Sequence, residues 1–376
     1  MSAQIQRVVV APDSFKGSLS AQQVCEVVAT AFQEAVPNLV VDQLPLADGG
    51  EGTVDAFLAA VGGRRITKQV TGPYGEPLRA DYALLPDGTA VIEMAAAAGL
   101  PLVGEGERDI MRATTYGVGE LISNAVQRGL DPIYVGLGGS ATNDGGVGAA
   151  LALGLEFTDQ HGEIVREAAK LIDVSSVRQS TRFAKTRHSQ IIFLSDVKNP
   201  LCGQTGASHI YGPQKGASAD QVRQLDRGLA HLADVIKADR VKDWRNQPGV
   251  GAAGGFALPF LAYFGAQLTS GIDFVLDLAN FDQQLLGTDL VISGEGRTDA
   301  QSAMGKAISA IARRCEAAGV PLLLLSGSIA PNAAALLKHG VKEMISITPP
   351  SQSLNQALAG AGGNLRLAAR KYFENH

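Results

Sequence analysis

The sequence predicts an α/β protein built around a mainly parallel sheet. Seven short apolar runs, centred near residues 8, 40, 134, 192, 290, 322 and 344, alternate with segments of helical period. Most of these runs end in a polar, glycine-rich turn. The composition suits such turns, with 44 glycines and only 5% aromatic residues in 376.

RVVVAPDSFKGSLSA (7–21) opens with a buried-strand run at Val8, Val9 and Val10. Asp13, Ser14 and Lys16 follow its C-terminal end. Ser20 is placed to cap the helix AQQVCEVVATAFQEAV. LVVDQLPLADGGEGTVDAFLAAVG (39–62) repeats the plan, with Asp48, Gly49, Gly50, Glu51 and Gly52 in its turn. These two carboxylates either favour a helix start or hold a cation or a substrate hydroxyl. Residues 63–108 change character. RRITKQVTGP, LRADYALLP and TAVIEMAAAAGL alternate apolar and polar residues, with PDG at 86–88 as a turn. An antiparallel segment after two βα units predicts an inserted second domain.

TTYGVGELISNAVQRG (114–129) returns to helix and leads into IYVGLGGSATNDGG (133–146). There a β-branched run feeds a loop of five glycines, then residues that can start a helix. Glycine lets the backbone take positive φ and approach a ligand closely. Free N–H groups at such a strand–loop–helix junction form an anion cradle. LALGLEFTDQHGEIV (151–165) reads as a helix end or a strand, then a turn at Asp159 to Gly162 and a strand. QIIFLSDVKNPLCG (190–203) places Ser195, Asp196, Lys198 and Asn199 after a fourth strand end, and YGPQKGAS (211–218) is a loop with Lys215. GVGAAGGFALPFLAYFGAQLTSGIDFVLDL (249–278) is a glycine hinge entering buried helices. DLVISGEGRTDAQSAMGK (289–306), VPLLLLSGSIA (320–330) and VKEMISITPP (341–350) close the chain. The first of these carries Glu295, Arg297 and Asp299 in a glycine turn.

In parallel sheets, ligands bind beyond the carboxyl ends of the strands. PDSFKG, ADGGEG, GGSATNDGG, SDVKNP and GEGRTD therefore bring carboxylates, lysines and glycines to one edge. That set suits phosphoryl transfer, with Mg²⁺ on carboxylates, lysines on phosphate oxygens and one acid taking the proton of a hydroxyl. No G-x-x-x-x-G-K-[ST] or G-x-S-x-G occurs, and the six histidines lack metal-site spacing. The competing reading is an NAD-dependent dehydrogenase of a small hydroxy acid. GLGGSA (136–141) matches G-x-G-x-x-A, and Glu156 follows at about 20 residues. A non-catalytic binding protein would not need five such loops. Net charge is −5, so nucleic acid is not an expected partner, and no apolar run suits a membrane span. Cys25, Cys202 and Cys315 form no CxxC, and the N-terminus lacks a secretory pattern, so a cytoplasmic location is expected. Self-association into a homo-oligomer stays open.

VVVAPDSFKGSLSA, LADGGEGT, GLGGSATNDGG, SDVKNPLCG, GPQKGA and SGEGRTDAQSAMGK together resemble the bacterial glycerate kinase type-2 family, in order and over nearly the whole chain. The resemblance implies an ATP-dependent kinase that converts D-glycerate to 2-phosphoglycerate. It also implies a three-layer α/β/α domain with a seven-stranded mainly parallel sheet, a smaller α/β domain with a mixed sheet, and an active site in the cleft between them. The expected boundaries are 1–62 with 109–150 and 187–376 for the first, and 63–108 with 151–186 for the second. Within that frame Asp196 is expected to be the base on the glycerate hydroxyl. Lys16 and Lys198 are expected on phosphate or carboxylate oxygens, and Asp299 and Glu295 on Mg²⁺. Gly138, Gly139, Ser140, Thr142 and Asn143 would cradle the nucleotide phosphates. Asp13, Asp48, Glu51 and Arg297 would line the substrate side.

Overall fold

The computed structural model describes residues 5–46, 52–299, 302 and 307–375. Its strands, in chain order, are β1 (Arg7–Val10), β2 (Val40–Gln43), β3 (Arg64–Thr71), β4 (Pro77–Leu84), β5 (Ala90–Glu93), β6 (Ile133–Gly136), β7 (Leu155–Thr158) and β8 (Ser176–Gln179). They continue with β9 (Ile191–Leu194), β10 (Gln267–Thr269), β11 (Leu290–Ser293), β12 (Arg297–Thr298), β13 (Leu322–Ser326), β14 (Ser328–Ile329) and β15 (Val341–Ser346). A five-stranded sheet has the order β15-β13-β11-β1-β2 and is parallel throughout. A six-stranded sheet has the order β10-β9-β6-β5-β4-β3. It is parallel from β10 to β5 and antiparallel at β5/β4 and β4/β3.

The α/β class, with one parallel and one mixed sheet, is the class the sequence predicts. The strand count of the parallel sheet differs. Of the seven apolar runs, β1, β2, β11, β13 and β15 share the parallel sheet, while β6 and β9 lie in the mixed one. The reason is β5. Ala90, Val91 and Ile92 are wholly buried, and they pair in parallel with Ile133, Tyr134 and Val135 of β6. The hairpin therefore extends the sheet that carries the glycine loop. β7 and β8 pair with each other, antiparallel, and Thr158 of β7 also bridges to Ile164.

Contacts divide the chain into two units, Met1–Asp48 with Ala59–Val61 and Ile272–His376, and Gly49–Leu58 with Gly62–Gly271. Segments 109–150 and 187–271, assigned above to the parallel-sheet domain, thus group with the hairpin strands.

In the first unit, Val8, Val10, Ile292, Leu323 and Leu325 of the sheet pack with Val24, Val28 and Phe32 of the helix Ala21–Ala35. Leu365, Ala369 and Tyr372 of the helix Ala361–Asn375 complete this core. Each buried Val, Leu or Phe contributes about 1.5–3 kcal/mol. Ser20 caps the helix as expected. Its hydroxyl accepts from Gln23 N at 3.2 Å, and the Gln23 side chain accepts from Ser20 N at 2.9 Å. In the second unit, Ile133, Val135 and Phe193 face Phe256 and Phe260, whose rings lie 5.3 Å from that of Phe193. No helix among the described residues is long and apolar enough to cross a membrane.

Candidate active site

In the first unit, three turns interlock beyond the carboxyl ends of β1, β11 and β13. Ala11 N donates to Ile292 O at 2.7 Å, and Asp13 N to Gly294 O at 2.9 Å. Gly327 N donates to Glu295 O at 3.0 Å, and Ser328 N to Gly296 O at 3.1 Å. Gly294 must be glycine, because a Cβ there would stand 1.8 Å from Leu325 O. A Cβ on Gly296 would lie 3.5 Å from Lys16 N, so the first two turns run backbone to backbone. Asp13, Lys16, Glu295, Arg297 and Asp299 therefore share one sheet edge.

Their side chains are not equivalent. Asp13 is half-buried, and its Oδ1 accepts from Ser14 N at 2.6 Å. Lys16 and Arg297 are exposed, with Arg297 Nε 4.0 Å from Asp299 Oδ2. Glu295 and Asp299 are linked through Ser302, whose hydroxyl donates to Glu295 Oε1 and accepts from Asp299 N at 3.1 Å. Among the described residues, no three His, Cys, Asp or Glu side chains gather into a ready-made metal site. Glu295 and Asp299 still offer hard oxygen donors on one turn. That donor set fits Mg²⁺, which usually takes one or two carboxylates plus substrate phosphates. Asp48 and Glu51 lie outside the described residues.

In the second unit, β5, β6, β9 and β10 end in register, bringing Glu93, the glycine loop, Asp196 and Ser270 to one edge. Leu137 N continues the ladder to Leu194 O at 3.1 Å. Leu100 N then donates to Gly139 O and Ala141 N to Ala98 O, both at 2.8 Å. Gly139 is exposed at φ +70°, and Gly138 is half-buried beside it. Ser140, Thr142 and Asn143 are buried. Asn143 Nδ2 donates to Ser208 Oγ at 3.1 Å. Among the described residues, the N–H groups of Gly138, Gly139 and Asn143 find no acceptor.

Two buried charges support this loop from inside. Asp144 accepts from Thr115 N and Oγ1 at 2.8 Å each, Gly146 N at 3.0 Å and Gly148 N at 3.3 Å. Burial pushes its carboxyl pKa up, and these bonds oppose the rise. Lys215 is 3% exposed, and its Nζ donates to Ser140 Oγ at 2.8 Å and Thr142 O at 2.7 Å. Burial lowers the Lys215 pKa to about 7, against the opposing effect of Asp144. The sequence places Lys215 in a loop and in the motif GPQKGA, with no role assigned to it. Its flanking glycines are the one available signal, because Gly216 takes φ +92° in the tight turn that buries the side chain.

Asp196 is half-buried, and its Oδ1 accepts from Ser270 Oγ at 2.7 Å. Lys198 is exposed on the same loop. Asn199 pins that loop, donating to Thr205 O at 2.8 Å and accepting from Tyr211 Oη at 2.7 Å. Ser270 and Ser302 carry no sequence signal. The dinucleotide pattern lacks its structural context. Residues 137–146 separate β6 from the helix Val147–Ala152, and Glu156 lies in β7 opposite Arg178.

Residues 8–375 match the model of the glycerate kinase family. A glycerate kinase of Bacillus subtilis (strain 168) is 41% identical over 366 residues, covering 97% of this chain and 96% of the relative. A glycerate 2-kinase of Escherichia coli (strain K12) is 40% identical with the same coverage. The crystal structure of a protein described as a glycerate kinase 2, from Salmonella typhimurium LT2, superposes with a TM-score of 0.84 at 39% identity. It covers 99% of this chain and 98% of that one.

Proposed function

The chain belongs to the glycerate kinase family and is a kinase, and from this premise we propose that it phosphorylates D-glycerate at the 2-hydroxyl, with ATP as donor and Mg²⁺ as the assisting ion. The hydroxyl oxygen attacks the γ-phosphorus, the bond to the bridging oxygen breaks, and ADP leaves. Asp196 takes the hydroxyl proton, with Ser270 holding the carboxylate by one oxygen. The Gly138–Asn143 turn receives the nucleotide phosphates on its N–H groups. Glu295 and Asp299 would hold Mg²⁺, which offsets charge on the phosphate oxygens when bound. Lys16 and Lys198, both exposed, steer phosphate or carboxylate groups, and Arg297 clamps a carboxylate. Asp13, Asp48 and Glu51 serve the glycerate hydroxyls.

Support for this reading comes from one observation above the others. In each unit, the groups that phosphoryl transfer needs follow the carboxyl ends of parallel strands, where α/β proteins bind ligands. Thermal unfolding with added nucleotide tests it. ADP with Mg²⁺ at 100 times its Kd should stabilise the fold by about 2.7 kcal/mol, and NAD should have no effect. Stabilisation by NAD alone would return the dehydrogenase reading.

A further inference from the structure

We propose that Lys215 is a positioning residue for the nucleotide turn, fixing it from behind through Ser140 and Thr142. The inference rests on reading that turn as the phosphate cradle.

Lysine is almost never fully buried without a charged partner. Lys215 is buried, and among the described residues no carboxylate lies within 4.0 Å of its Nζ. The acceptors it has, Ser140 Oγ and Thr142 O, both belong to the turn, 75 and 73 positions away in sequence. An apolar side chain of similar length would fill the space without desolvating an amine. Stability alone therefore does not account for a lysine here, whereas directional hydrogen bonds do.

Peptide geometry says what those bonds accomplish. In a trans peptide, the carbonyl of one residue and the N–H of the next point in opposite directions. Lys215 draws the Thr142 carbonyl toward itself, so the Asn143 N–H points away from the lysine. That N–H has no acceptor among the described residues, although Asn143 is fully buried. Buried backbone donors without partners are rare. The Leu100 N–H acts likewise earlier in the turn, at the Gly139–Ser140 peptide, holding the Gly139 carbonyl and turning the Ser140 N–H to the opposite side. The turn is thus held with unpaired donors directed by contacts on its other side, and Lys215 supplies the contact that comes from a side chain.

The test combines Lys215→Met, Ser140→Ala and the double variant, each assayed for ADP–Mg²⁺ binding, KM for ATP, KM for glycerate and Tm. In Lys215→Met, the ADP Kd and the KM for ATP should rise about tenfold, the size of one lost hydrogen bond. The KM for glycerate should stay within about twofold, and Tm should change little, because the desolvated amine is removed at the same time as its two hydrogen bonds. Ser140→Ala should weaken ADP binding at least roughly threefold. The double variant should be no weaker than Lys215→Met, because both changes break one linkage. Unchanged ADP binding in Lys215→Met overturns the proposal, as does a lowered Tm with both KM values raised alike. Should Lys215→Met not fold, Ser140→Ala decides: unchanged ADP binding at unchanged Tm overturns it. Failure of the wild-type protein itself to bind ADP–Mg²⁺ would instead remove the cradle reading on which this one stands.

Discussion

Asp196 combines two properties that a hydroxyl-activating base needs. It is partly exposed, and its Oδ1 is fixed by Ser270. Asp196→Asn removes the proton acceptor at nearly constant shape. It should lower kcat by about 10²-fold or more while leaving ADP binding and Tm near the wild-type values. Retention of most of the turnover would move the base elsewhere. Ser270→Ala should lower kcat about tenfold, since hydrogen bonds to charged groups are worth about 1.5–3 kcal/mol. Steady-state kinetics at saturating glycerate reads this directly. Lys215 makes a separate prediction about pH. Its pKa is about 7 in the folded chain against an ordinary 10.5. Between those values the unfolded chain holds a proton that the folded chain lacks, so stability rises with pH, by roughly 1.4 kcal/mol per unit. Urea unfolding of the wild type should therefore gain on Lys215→Met from pH 7 to pH 9, and parallel curves would contradict the assignment. The place of Asp196 just past a strand end was legible in the sequence because an apolar run precedes it closely. Ser270 was not, because 74 positions separate it from Asp196 and only the β9–β10 pairing joins them.

At the scale of elements, the turns carry the constraint. Gly146 opens the helix Val147–Ala152 at φ +73°, where a Cβ would meet Phe256 O at 2.2 Å. Gly146→Ala thus combines left-handed strain with a backbone clash. It should destabilise the fold by about 3 kcal/mol, read as a lowered urea midpoint. A loss below about 0.5 kcal/mol, the range of a neutral surface change, would mean the helix start can relocate. The glycine loop, the Ser20 cap and the β4–β5 hairpin at the PDG turn were all legible, because each is encoded within a few residues of itself. Sheet membership was not. An apolar run followed by a helix reports a crossover, and says nothing of which sheet receives the next strand. β6 and β9 joined the hairpin strands because the buried face of β5 offered β6 a parallel neighbour.

At the scale of the whole molecule, the chain is a family member from residue 8 to residue 375, carrying a parallel sheet and a mixed sheet. The reaction proposed for it is transfer of the γ-phosphate of ATP to the 2-hydroxyl of D-glycerate. The regiochemistry of transfer is the sharpest consequence. Incubation with ATP, Mg²⁺ and D-glycerate, followed by ³¹P and ¹H NMR of the product, should show phosphate on the 2-oxygen with ADP released in equal amount. Phosphate on the 3-oxygen, or no transfer to glycerate at all, would contradict the account.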